Sequence, residues 1–212
     1  MFRIAVCVSG GGSLLPPLVE AMKDGTLPAR ISPVIGDRPG IPGLEKAERL
    51  GLKTLCIDRE QFRGGEKRRV RYEPFSDALF DALNSDETDR LDLVVLAGFL
   101  SILKGKILDK YARRIINIHP ALLPRHGGKG MYGMRVHRSV LAEGDKVSGC
   151  TVHYVNGGID GGPIILQHSV QVRQDDTAES LQRRVHAIEG PTLVEAMKRV
   201  LVEINTGEGG DR

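Results

Sequence analysis

Cysteine is scarce. Three in 212 residues do not make a disulfide framework, and Cys7, Cys56 and Cys150 are too widely spaced to form a zinc pair. That usage points to a reducing cytoplasm. No apolar run approaches the ~20 residues of a membrane-spanning helix. The opening Met1-Phe2-Arg3-Ile4-Ala5-Val6 lacks the layout of a secretory signal and reads as a strand. A surplus of one charge is also missing, since a net +3 is too mild to argue for nucleic acid as a partner. No spacing of His, Cys, Asp and Glu resembles a metal site. The dinucleotide fingerprint lacks its last glycine, because Leu15 stands there, and no Lys-Ser/Thr pair completes a P-loop. What is present, 41% hydrophobic and 27% charged residues, is the balance of a folded globular chain of about one domain.

Along the chain, strands alternate with helices. Residues 2–9 form an apolar run ending in Gly10-Gly11-Gly12-Ser13, and Leu15, Leu18 and Met22 then give helical spacing up to Gly25. Pro16 and Pro17 fall in the first turn, where a missing N–H costs little. A strand over 31–36, weakened by Pro33, precedes a helix carrying Leu44, Ala47 and Leu50 and a third strand over 53–57. Phe75, Ala78, Leu79, Ala82 and Leu83 form a helical stripe. Apolar strands over 91–97 and 114–118 flank a short helix near 104–112. This order predicts a parallel sheet covered on both faces. In the second half, strands over 149–155 and 163–172 are separated only by a Gly-rich loop. A C-terminal helix follows, interrupted at Pro191 and resuming to about Ile204.

Three constellations carry chemistry. Gly10 to Ser13 join the first strand to the first helix, where free N–H groups and the helix dipole suit an anion such as phosphate. The alternative is a tight turn with Ser13 as N-cap. Asn117 and His119 close an apolar strand two residues apart, so their side chains project to one side, at the strand end where open α/β sheets bind ligands. A carboxamide can donate to a developing oxyanion, and an imidazole can move protons near neutral pH. The alternative is a polar strand end with a structural histidine. Asn156-Gly157-Gly158-Ile159-Asp160-Gly161-Gly162 brings backbone close to something, with Asp160 able to orient a histidine, or it is an ordinary turn. His153 reads as structural. The basic cluster Arg63, Lys67, Arg68, Arg69 and Arg71 reads as a solvated face, and 127–133, GGKGMYG, reads as a surface loop or a lid.

In this order the residues resemble the phosphoribosylglycinamide formyltransferase family, folate-dependent enzymes of purine biosynthesis. The likeness runs through VSGGGS, LVVLAGFLSIL, INIHPALLP, GCTVHYVNGGIDGGPIILQ and VHAIEGP. It implies a single α/β domain over 1–205 and a flexible tail over 206–212. The sheet would be Rossmann-like and parallel in the N-terminal half, continued by a mixed C-terminal part, with helices on both faces. It further implies that the amine of glycinamide ribonucleotide attacks the formyl carbon of 10-formyltetrahydrofolate, a cosubstrate, with no metal. Asn117 would bind the formyl oxygen, His119 would stabilise it and assist proton transfer, and Asp160 would hold His119 and an ordered water. Gly11, Gly12, Ser13 and the backbone of Leu14 would hold the ribonucleotide phosphate, and Glu189 the ribose side. Leu100, Ser101, Ile102 and Leu103, with Asn156, Gly157, Gly158, Ile159 and Asp160, would wall the pterin pocket.

Ser101 departs from the basic residue common in the family, and Arg71 and Tyr72 compete for the place of a folate-contacting arginine. Formyltetrahydrofolate deformylase carries an extra N-terminal domain and methionyl-tRNA formyltransferase an extra C-terminal one. Their absence from 212 residues favours the ribonucleotide enzyme. A deformylase, another folate formyltransferase, a non-catalytic nucleotide-binding module or a dinucleotide oxidoreductase remain as alternative readings.

Overall fold

Phe2–Val8 (β1) sends Ile4, Val6 and Val8 to one side and Ala5 and Cys7 to the other, and all five are fully buried. A strand buried on both faces belongs in the middle of a sheet covered twice. The computed structural model, which describes residues 1–65, 69–85 and 91–207, places it there. The other strands are β2 (Ala29–Gly36), β3 (Thr54–Cys56), the two-residue β4 (Arg63–Gly64) and β5 (Arg69–Val70), β6 (Leu93–Leu96), β7 (Ile115–His119), β8 (Val147–Tyr154) and β9 (Ile164–Gln171). Seven of them form one sheet in the order β3-β2-β1-β6-β7-β8-β9, and β4 pairs with β5 apart from it. Pairing is parallel from β3 to β7 and antiparallel for β7–β8 and β8–β9, the mixed sheet that the resemblance implied.

One face is covered by α1 (Leu15–Lys23), α2 (Pro42–Arg49) and α6 (Ala178–Thr206), whose Leu18, Leu44, Val185 and Met197 share a core with Ile4 and Val6. The other is covered by α3 (Tyr72–Leu83) and α4 (Lys106–Lys110), through Phe75, Leu79 and Ile107 against Ala5 and Cys7. Among the described residues no helix is long and apolar enough to cross a membrane.

Four expectations need correction. The helix does not break at Pro191: α6 runs through it. Leu181 and Val185 before the proline, and Leu193, Met197 and Val200 after it, are buried in the same core. Several such side chains, at ~1.5–3 kcal/mol each, outweigh the ~3 kcal/mol a helix-interior proline costs. Pro33 does not weaken β2, which runs over eight residues between β1 and β3, because it sits where the register with β1 slips between Ile4 and Val6, and such an irregularity tolerates a residue without an N–H. Ser13 is not the cap of α1; that place belongs to Leu14, with no side-chain bond. Finally, α5 (Met134–Ala142) was not foreseen, although it buries Val136, His137 and Val140. Of the expected tail, Thr206 is helical and Gly207 caps it, while 208–212 lie outside the described residues.

Candidate active site

From β1 the chain moves outward through β2 to β3, then returns so that β6 lies on the other side of β1. Carboxyl ends on either side of such a reversal leave a crevice, the usual ligand site of open α/β sheets. A cavity of about 1260 Å³ opens there, larger than the ~300–1,000 Å³ of a typical single-ligand pocket. It gathers Ser13 and Leu14 after β1, Leu100 to Leu103 after β6, Asn117 and His119 from β7, Asn156 to Asp160 after β8, and Glu189 from α6.

Asn117 and His119 continue the row of Ile115, on the α3 and α4 face, while Ile116 and Ile118 point into the opposite core. The antiparallel register sets His153 of β8 directly across from Asn117. The carboxamide Nδ2 of Asn117 lies 3.1 Å from His153 Nε2, and His153 Nδ1 lies 2.9 Å from the Tyr154 carbonyl. A carbonyl only accepts, so Nδ1 carries the proton and Nε2 is free to accept from Asn117. Burial lowers the His153 pKa from its ordinary value, which keeps the imidazole in this neutral form. One N–H of Asn117 is thereby fixed and the other is left for a ligand. His153 thus belongs to the site, contrary to the structural reading of it.

His119 is buried, and its Nε2 donates to the His126 carbonyl at 2.8 Å. Its Nδ1 faces Asp160 Oδ2 at 3.6 Å, and the other carboxylate oxygen lies 3.7 Å from His153 Nε2. Asp160 adopts a left-handed φ of 54°, uncommon for a residue with a side chain, and accepts from the Gly128 amide at 2.9 Å. Asn117, His119 and Asp160 therefore come together, with Asp160 beside the imidazole at ion-pair rather than hydrogen-bond distance.

Around α1, Pro16 and Pro17 have no N–H to offer, and the Leu15 amide is spent on Gly12. Donors to an anion at this end must therefore come from the Gly11–Leu14 backbone. Gly12 has a different reason to be glycine. Its φ is +57°, and a Cβ there would lie 2.9 Å from the Gly43 Cα and from Leu15 Cδ1. Neither Gly11 nor Gly12 lines the cavity, but Ser13 and Leu14 do.

Ser101 donates to Asp37 at 2.7 Å, and the buried Asp37 also accepts from Ser9 at 2.8 Å. Its hydroxyl is thus turned onto a carboxylate that Arg59 also pairs, at 3.1 Å. Asn156 Oδ1 accepts from the Gly158 amide at 2.9 Å and so shapes its own loop. Glu189 accepts from His186 Nδ1 at 2.6 Å. Tyr72, and not Arg71, reaches the cavity. So do Arg63 and Arg69, both exposed as a solvated cluster would be, while Lys67 and Arg68 lie outside the described residues. Of the 127–133 segment, residues 128–133 form part of the wall.

His137, on the unforeseen α5, also lines the cavity. It is buried with Nδ1 unpartnered, and burial, with His119 nearby, lowers its pKa from 6.5 to about 4. Between these values the unfolded chain binds a proton that the folded chain does not, so stability falls as pH drops from about 6.5 toward about 4. His137→Gln is expected to lose less of its urea midpoint than the parent between pH 7 and pH 5. Equal losses in both proteins would place that acid sensitivity elsewhere.

Residues 2–197 match the formyl transferase family. The trifunctional purine biosynthetic protein adenosine-3 of Homo sapiens is 35% identical over 209 residues, 98% of this chain and 19% of that protein. The chloroplastic phosphoribosylglycinamide formyltransferase of Arabidopsis thaliana is 35% identical over 203 residues, 95% of this chain and 66% of that one. The crystal structure of glycinamide ribonucleotide transformylase 1 from Symbiobacterium toebii superposes with a TM-score of 0.80 at 38% identity, covering 93% of this chain and 86% of that one. The chain thus spans about a fifth of the human protein's length and about two thirds of the plant protein's.

Proposed function

Because the chain belongs to the formyl transferase family, we propose that it transfers the formyl group of 10-formyltetrahydrofolate to the amine of glycinamide ribonucleotide, a step of purine biosynthesis. The observation that carries this reading is the single cavity joining the start of α1, the Asn117–His119–Asp160 cluster and the walls at 100–103 and 156–160. Its volume suits two substrates that must meet.

The amine attacks the formyl carbon and a C–N bond forms. Negative charge collects on the formyl oxygen, met by the free N–H of Asn117 and by His119, whose Nδ1 takes up a proton as the amine attacks. Only the charge developed in the transition state makes these donors accelerate the reaction. Asp160, beside Nδ1 of His119, stabilises the imidazolium and holds a water through which the attacking nitrogen gives up its proton. The bond to N10 of the folate then breaks, and N10 takes a proton in its place. Backbone amides around Ser13 and Leu14 hold the phosphate, and Glu189 the ribose hydroxyls. The scheme requires no metal, and its partners are small molecules rather than nucleic acid or membrane. We assign it to the cytoplasm on its free thiols, Cys7, Cys56 and Cys150.

A transfer assay with each component omitted in turn tests the reading. Product is expected only with both glycinamide ribonucleotide and 10-formyltetrahydrofolate present. Fast formate release without any amine would identify a deformylase instead.

A further inference from the structure

The short segment His126-Gly127-Gly128 touches both the proposed proton-handling groups. The His126 carbonyl accepts from His119 Nε2 at 2.8 Å, and the Gly128 amide donates to Asp160 Oδ2 at 2.9 Å. Two of its three residues are glycines, so the His126 side chain alone can anchor it. That imidazole is buried and held at both ends, with Nδ1 2.9 Å from Ser139 Oγ on α5 and Nε2 2.7 Å from Asp145 Oδ2 just beyond it. Arg125 also pairs with Asp145, at 2.9 Å, and with Glu143, at 2.7 Å. Asp145 is thus ionised, its pKa lowered first by His126, so Nε2 of His126 is the donor.

His126 has a φ of 55°. A residue with a side chain stays in that left-handed region where its surroundings hold it. His126, Glu143 and Asp145 come close enough to suggest a metal site among the described residues. However, their polar atoms are already committed to one another, to Ser139 and to Arg125, which suits an anchor.

We infer that His126, fastened by Ser139 and Asp145, is a positioning residue that fixes the ring of His119 and the carboxylate of Asp160. Its carbonyl sets the neutral tautomer of His119, with the proton on Nε2, and leaves Nδ1 facing Asp160. The catalytic consequence rests on the formyl transfer proposed above; the tautomer does not.

Two readouts on the full chain separate these. In steady-state kinetics, His126→Phe and Asp145→Asn are expected to lower kcat about tenfold to a hundredfold. Both KM values should stay within about threefold, and His126→Gln, able to bridge the same two partners, should restore most of kcat. In 15N-histidine spectra the ring nitrogens of His119 should show the Nε2–H tautomer in the parent protein and a mixture in His126→Phe and Asp145→Asn. If His126→Phe fails to fold, Asp145→Asn, which keeps the volume, carries the test. Wild-type kcat, a loss confined to KM, or His119 signals unchanged in the variants would each overturn the inference. If the parent protein shows no transfer at all, the proposed function fails and the His119 spectra alone decide this one.

Discussion

His119→Ala is expected to lower the kcat of formyl transfer by ~10²–10⁴, the range for losing a proton-transfer group or an oxyanion donor. The fold should survive, because His119 ends β7 at the cavity while the strand's own anchors, Ile115, Ile116 and Ile118, remain in the two cores. Asn117→Ala and Asp160→Ala are expected to fall in the same range. In the proposed mechanism the three groups serve one reacting oxygen, and Asp160 lies 3.6 Å from His119 and 3.7 Å from His153. Residues that act as a unit are not additive. The Asn117→Ala/His119→Ala double variant should therefore lose far less than the product of the single losses. Rates from single-turnover transfer, beside melting curves for each variant, make the comparison. Wild-type turnover in His119→Ala would make the imidazole structural and remove the mechanism.

Removing the phosphate from the acceptor is expected to cost several orders of magnitude in kcat/KM. A charge-assisted hydrogen bond to an anion contributes ~1.5–3 kcal/mol, and every ~1.4 kcal/mol is a factor of about ten. Two or three backbone donors between Gly11 and Leu14 therefore suffice. The structure also chooses the variant. Valine at Gly12 would fight a left-handed φ and the backbone of Gly43, so its effect would not isolate the ligand. A Cβ at Gly11 meets nothing within 4 Å and its φ is not left-handed, so Gly11→Val avoids the two conflicts at Gly12 and crowds what approaches the turn. It should raise the ribonucleotide KM at least about tenfold while the folate KM stays within about twofold. Equal rates with nucleotide and nucleoside would remove the phosphate role from this turn.

The parts of the site legible in the sequence are those that depend on local geometry. Asn117 and His119 lie two apart on a strand, so their common side follows from the pleat alone, and the Gly10–Ser13 turn announces itself by composition. Contacts set by pairing register were not legible. His153 meets Asn117 only because β8 runs antiparallel beside β7, 36 residues away in sequence. His137 was hidden because α5 begins behind a glycine-rich stretch, with only Val136, His137 and Val140 buried as its stripe. Pro191 misled in the opposite direction. A strong local signal to stop was overruled by side chains on both sides of it that share one core. That Arg63 and Arg69 face the cavity was likewise not legible, since the path of the β4–β5 ribbon and not their clustering decides it.

The central place of β1 has a further cost, paid in time. Ile4 and Cys7 pair with Leu93 and Leu96 on one side and with Ile31 and Ile35 on the other. As the chain leaves the ribosome, this apolar strand emerges almost ninety residues before its neighbour β6. Non-local parallel pairing of this kind slows folding. Until Leu93–Leu96 arrives, Ile4-Ala5-Val6-Cys7-Val8 is an uncovered strand edge of the sort that recruits other chains. Nascent chains stalled before residue 93 should accordingly bind holdase chaperones, and those released beyond residue 119, with β6 and β7 in place, should let go.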